Sequence, residues 1–192
     1  LDWLAVEFVE SGWDIKHMLR LMMTSSTYRM SVKGQAEALS VDPQNRLHWR
    51  HNARRLTAEE IWDTFLLLQG DLKLKMFGEW VRPKMPEAVL AGSSQPEKVW
   101  RETVGDAANR RAIYIHVKRS IQLPLLAAFD APQRDATCPT RFATTVPTQA
   151  LSMLNSERVN QVAQGFANRV AAEHEELSAQ VDEACKIALG RT

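Results

Sequence analysis

Thr57-Ala58-Glu59-Glu60-Ile61-Trp62-Asp63-Thr64-Phe65-Leu66-Leu67-Leu68-Gln69-Gly70 is the stretch from which the fold class follows. Thr57 and Glu60 stand at capping-box spacing. The N-cap hydroxyl accepts from the N–H three residues on, and the carboxylate reaches back to the N-cap N–H. Ile61, Phe65 and Leu68 then recur at helical spacing, and Gly70 can enter the left-handed region at a helix end without a Cβ penalty. The pattern predicts an amphipathic helix that starts at Thr57 and stops at Gly70.

Upstream, Leu1, Leu4, Ala5, Phe8 and Val9 fall at helical spacing and Gly12 stops them. Asp14 can cap a second helix whose Ile15, Met18, Leu19, Met22 and Met23 share a face, ending near Thr24-Ser25-Ser26-Thr27. These two are expected to pair as a hairpin. Asp42-Pro43 has the form of a helix start, with Asp as N-cap and Pro at the first position, and predicts a helix through Arg50 to about Arg54.

Downstream, the pattern breaks up over 71–111, where Gly78, Pro83, Pro86, Gly92-Ser93-Ser94 and Pro96 punctuate the chain. A short helix is expected within 98–108. Ile113, Ile115 and Val117 alternate with Tyr114 and His116 as a short strand would, its partner not identifiable from the sequence. Residues 124–129 read as a helical turn and 130–146 as a loop. Pro147 opens the longest helical stretch, broken or re-capped at Asn155-Ser156 and continued by the stripe Val159, Val162, Ala163, Phe166, Ala167 and Val170. Val181, Ala184, Cys185, Ala188 and Leu189 form the last stripe, stopped by Gly190. The expectation is a mainly α fold: an irregular multi-helix bundle with a loop-rich middle and at most a minor β element. It is read as one helical domain over 1–192, cut from a larger protein.

With 45% hydrophobic and 24% charged residues the chain has the composition of a folded protein. Twenty-four Lys and Arg against 23 Asp and Glu leave a charge of +1, so no global field draws in nucleic acid or an anionic membrane. No apolar run approaches the roughly 18 residues that would span a bilayer. Two cysteines, Cys138 and Cys185, rule out a dense disulfide framework and are expected to stay unpaired.

Several ordered landmarks carry a family likeness. They are Leu1-Asp2-Trp3-Leu4-Ala5 with Glu7-Phe8, Ser11-Gly12-Trp13-Asp14 before Met22-Met23-Thr24-Ser25, and Asp42-Pro43 with Asn45-Arg46-Leu47 and Trp49-Arg50. They continue through Arg54-Arg55-Leu56, Arg110-Arg111 before Ile113-Tyr114, Phe129-Asp130-Ala131-Pro132, Cys138-Pro139, and Gln149-Ala150-Leu151 with Leu154-Asn155-Ser156. Over nearly its whole length the chain resembles a planctomycete-specific domain of unknown function found C-terminally in cytochrome-type multidomain proteins. The resemblance implies a bacterial, exported or cell-envelope parent whose other domains are the partners. It implies no activity and no catalytic residue.

Site chemistry is sparse. Covalent c-type haem needs Cys-x-x-Cys-His, and neither cysteine is followed by a His. His48 and His51 lie three apart, but zinc wants three or four ligands and no third is signalled. Cys138 stands between Arg134 and Arg141, which would favour its thiolate, yet no neighbouring base is evident, so it reads as an incidental thiol. Cys185 reads as a small core residue. The hydroxyls of 24–27 read as helix-end caps, and Glu175-Glu176 and Asp182-Glu183 as solvated acids. No catalytic, cofactor-binding or metal-binding residue is assigned.

The candidates that remain concern recognition. Arg46, Arg50 and Arg54 would make an i, i+4, i+8 stripe on the expected helix, with Trp49 beside it. Glu59, Glu60 and Asp63 follow closely enough to neutralise that stripe, which weighs against nucleic acid. Trp80 and Trp100 lie in the irregular middle, where exposed indoles would offer platforms to a partner protein or a glycan, although core anchoring is the commoner use of Trp. The balance falls against an enzyme and toward a non-catalytic docking domain. The alternative is part of a polysaccharide-processing or glycan-binding assembly.

Overall fold

The computed structural model describes residues 1–92, 94–133 and 135–190. The fold is mainly α, and among the described residues β structure is limited to isolated bridges, Lys73 with Arg110, Val81 with Ile115 and Lys118 with Ile121. The chain divides into two compact units, Leu1–Arg55 and Leu56–Thr192.

In the first unit, α1 (Asp2–Glu10) and α2 (Ile15–Thr24) pack against each other across a tight turn at Gly12 and Trp13, both at positive φ. Asp14 caps α2 as expected, its Oδ1 accepting from the N–H of Lys16 at 2.8 Å and of His17 at 3.1 Å. The edge-on stack of Phe8 on Trp13 and the 2.8 Å contact of His17 with Glu7 tie the two helices together. Their apolar faces remain largely uncovered: only Met18 is buried on α2 and nothing is on α1. A short α3 (Ala36–Val41), without a side-chain cap, completes the unit.

The helix expected from Pro43 to Arg54 does not form. Asn45 and His48 both take positive φ, and side chains of the segment bond to its own backbone in place of an i→i−4 ladder. Asp42 Oδ2 accepts from the Leu47 N–H at 2.8 Å, and the Trp49 indole N–H donates to the Asp42 carbonyl at 2.8 Å. The buried Asn45 amide closes the turn, donating to the Arg50 carbonyl at 2.7 Å and accepting from the Arg50 N–H at 3.2 Å. Asp and Asn favour such local bonds, which compete with helix. The backbone N–H groups of Leu47 and Arg46 hold the Asp42 carboxyl below the usual carboxylate range.

The second unit is built on α4 (Ala58–Gln69). Its capping box is made, with Glu60 Oε2 accepting from the Thr57 N–H at 2.8 Å and Thr57 Oγ1 from the Glu60 N–H at 3.3 Å. Gly70 ends it at φ 83°. Buried residues recur at the i, i+3, i+4 spacing of one broad face, and the helix serves two apolar clusters. Trp62 and Leu66 join Val81, Met85, Trp100, Ala112, Ile115 and Leu123. Ala58, Ile61 and Phe65 join Phe129 and Val162.

The other helices of the unit are α5 (Glu87–Leu90), α6 (Pro96–Val99), α7 (Pro124–Ala128), α8 (Pro147–Asn155), α9 (Glu157–Glu173) and α10 (Leu177–Leu189); α7 and α9 pack on α4, α8 on α7 and α9, and α10 on α9. The break expected at Asn155-Ser156 is a re-cap, Ser156 Oγ accepting from the Val159 N–H. On α9 the stripe is narrower than the spacing implies: Val162 and Val170 are buried, but Ala163 and Ala167 face solvent. Val181, Ala188 and Leu189 of α10 are exposed as well. Residues 113–117 are not a strand. Residues 112–114 form a 3-10 turn and Ile115 alone bridges to Val81, the segment the alternation left unidentified. Within 98–108 the expected helix resolves into α6, which starts earlier at Pro96, and a 3-10 turn over 105–108.

The loop-rich middle is held by a buried arginine. Arg110 donates to the carbonyls of Lys75, Phe77 and Glu79 while its guanidinium carbon lies 3.6 Å from the Tyr114 ring centroid. That clamp fixes the turn in which Phe77 and Gly78 take positive φ. The 130–146 loop is pinned by Arg141 on Glu59 at 2.6 Å and by Thr144 on the Asp130 carboxylate. Arg134 lies outside the described residues, so the pairing of cations expected around Cys138 is seen only on the Arg141 side.

Candidate functional site

The recognition candidates fall in two places, one in each unit. In the first, the non-helical turn that replaces the expected helix changes what the arginines do. Arg46 is exposed and donates from Nε to Gln44 at 3.0 Å. Trp49 is half-buried, with the Arg50 guanidinium 4.9 Å from its ring centroid. Arg50 and Arg54 both line a groove of about 860 Å³.

One wall of this groove is apolar, formed by Trp3 and Leu4 of α1 and Leu21 and Met22 of α2. A basic wall of the same groove carries His48, Arg50, His51 and Arg54, with Tyr28 stacked edge-on against His51 at 6.1 Å. Asn45 organises that wall by holding the Arg50 backbone, and the Arg50 Nε is shut off from solvent with no acceptor. No carboxylate is among the described lining residues. The surface is therefore cationic and apolar at once, and it runs on into the exposed side chains of Trp3 and Met22, 62% and 41% accessible.

Hydroxyls in the same wall are committed locally. Thr24 Oγ1 donates to the Arg20 carbonyl at 2.8 Å and Ser25 Oγ to that of Met22 at 2.7 Å, the expected helix-end role. His48 and His51 share the groove, but no group of three His, Cys, Asp or Glu suited to a metal ion occurs among the described residues. Tyr28 escaped the sequence reading, and Asn45 entered it only as part of a family landmark. The signal for Asn45 was its place three residues after Asp42, the spacing of a turn as much as of a helix.

In the second unit the two indoles part company. Trp100 is 3% exposed and donates from Nε1 to the Pro83 carbonyl at 2.8 Å, so it anchors the core. Trp80 is 52% exposed. It carries the Arg82 guanidinium 4.4 Å from its ring centroid and the His116 ring at 4.5 Å. Burial lowers the His116 pKa, helped by the charges of Arg82 and Lys118. The one open indole of the pair is thus covered in part by a guanidinium and an imidazole. Cys138 is exposed and Cys185 half-buried, and both are free thiols.

Residues 1–192 match the family described as protein of unknown function (DUF1553), and the chain belongs to that family. No curated protein and no solved structure matches it. No helix among the described residues is long and apolar enough to cross a membrane.

Proposed function

We propose that this member of a family of unknown function is a non-catalytic docking domain, and that the groove of the first unit receives an acidic segment with apolar side chains from a neighbouring domain of the same parent protein. The observation that carries the reading is the composition of the groove: Trp3, Leu4, Leu21 and Met22 line it together with His48, Arg50, His51 and Arg54, and no carboxylate is among the described lining residues. Apolar contact supplies the driving force and the guanidinium groups select an acidic partner, since planar forks pair with carboxylates. The helix pair bordering the groove leaves its apolar faces open, as a surface meant to be covered does.

The resemblance supports the same reading, with a planctomycete cytochrome-type, exported parent supplying the partner domain. A glycan-handling role would have to start from Trp80, because Trp100 is closed off in the core. The test is to express the remainder of the parent separately and titrate it with this chain by calorimetry. Binding is expected, with Arg50→Glu and Met22→Asp each weakening it at least about tenfold, a loss of roughly 1.4 kcal/mol. Binding that ignores both substitutions sinks the proposal.

A further inference from the structure

Beside α4, the loops around Pro83 and Glu102 and the junction of α8 with α9 surround a cavity of about 480 Å³ within the second unit. Its most unusual wall group is Arg158. The guanidinium carbon sits 5.4 Å from the Trp62 ring centroid, and the side chain forms no hydrogen bond or ion pair among the described residues. Its Nε has no solvent access and no acceptor. Burial pushes its pKa down, offset only in part by Asp71. A guanidinium stays charged in a protein and offers five donors in a flat fork. The unmet donor shielded from solvent is the Nε–H, which is costly, and the terminal nitrogens beside it form no bond within the described residues and can take an oxygen-rich planar group.

The other charges of the wall are already engaged. Lys84 Nζ lies 3.5 Å from Glu157 Oε1, and Glu102 Oε1 accepts from the Met85 N–H at 2.9 Å. We propose that this cavity binds a small hydroxylated carboxylate, its carboxylate held in a bidentate pair by Arg158 and its hydroxyls by the polar wall. Carboxylate is favoured over phosphate because Glu102 and Glu157 line the same space and would repel a dianion. Those two acids, with Asn109 and Asn155, accept from hydroxyls, while Trp62 and Leu125 cover carbon–hydrogen faces. The ligand is either a free acid or the acidic end of a longer chain. The inference rests on the second unit alone and is independent of the groove in the first.

The experiment titrates the 192-residue chain with glucuronate and with a glucuronate-terminated oligomer, followed by amide NMR shifts, with glucose and inorganic phosphate as controls. Saturable binding of either acid is expected with a dissociation constant below about 10 mM. Glucose and phosphate should bind at least tenfold more weakly. Response to the monomer assigns a free acid, and response to the oligomer alone assigns a chain end. Arg158→Gln should lose at least tenfold in affinity. Asn155→Trp, at an exposed position on the rim, should block entry without touching the charge and serves if Arg158→Gln does not fold. Equal binding of glucose or phosphate, undiminished binding by the folded Arg158→Gln or Asn155→Trp protein, or no saturation by either acid overturns the proposal.

Discussion

Truncating Arg110 would leave three loop carbonyls without the guanidinium that now accommodates them, in a part of the chain with little regular structure to take over. Arg110→Ala is therefore expected to cost about 3 kcal/mol of stability, and Arg110→Lys nearly as much, because an ammonium cannot spread its donors over three acceptors at fork geometry. Chemical denaturation with matched m-values would check this. His116 makes a pH prediction. Its folded-state pKa lies below that of the unfolded chain, so the folded state prefers the neutral ring. That contribution is intact above the unfolded value of about 6.5 and is lost as pH falls from there toward the lower folded value. Thermal unfolding between pH 7.5 and 5 should show the second unit weakening, and His116→Gln should flatten the dependence; an unchanged profile would contradict it. At this scale the sequence announced the type of residue and not its surroundings. Nothing near Arg158 in the chain indicates that it will lie over Trp62, because that contact joins turns of two helices far apart in sequence.

Elements with a recurring apolar face were readable, and a start signal without one was not. Helix α4 had Thr57, Glu60 and Gly70 around a broad apolar face, and its boundaries match. The segment after Asp42 had the start signal alone: between Gln44 and Arg54 the apolar side chains are only Leu47, Trp49 and Ala53, too few for a helical face that would offset the local bonds of Asp42 and Asn45. Helix α3 went unseen because six residues without a cap bond leave no pattern. The groove was half visible for the same reason. Arg50 and Arg54 were singled out as a helical stripe, and they line one surface because of a turn. Thr57→Ala should cost about 1 kcal/mol through the lost cap, while Asp42→Ala should leave α4 intact and release the Leu47 amide. Amide exchange at Leu47 and Glu60 separates the two effects, and a loss of protection at Glu60 in Asp42→Ala would refute the assignment.

For the molecule as a whole, the mainly α class was legible from periodicity, whereas the division at Arg55 and Leu56 was not, since no Pro- or Gly-rich linker marks it. The first unit exposes much of its apolar surface and the second encloses two clusters around one helix. Opening one unit should therefore be easier than opening the other, and the lowest-energy exchange of backbone amides is expected in α1 and α2. Helix α4 gives the second unit a further property. Trp62 and Leu66 point into one cluster and Ala58, Ile61 and Phe65 into the other, so a single rod belongs to both. Loosening either cluster disturbs the rod on which its neighbour rests, so the two are expected to melt together and not in turn.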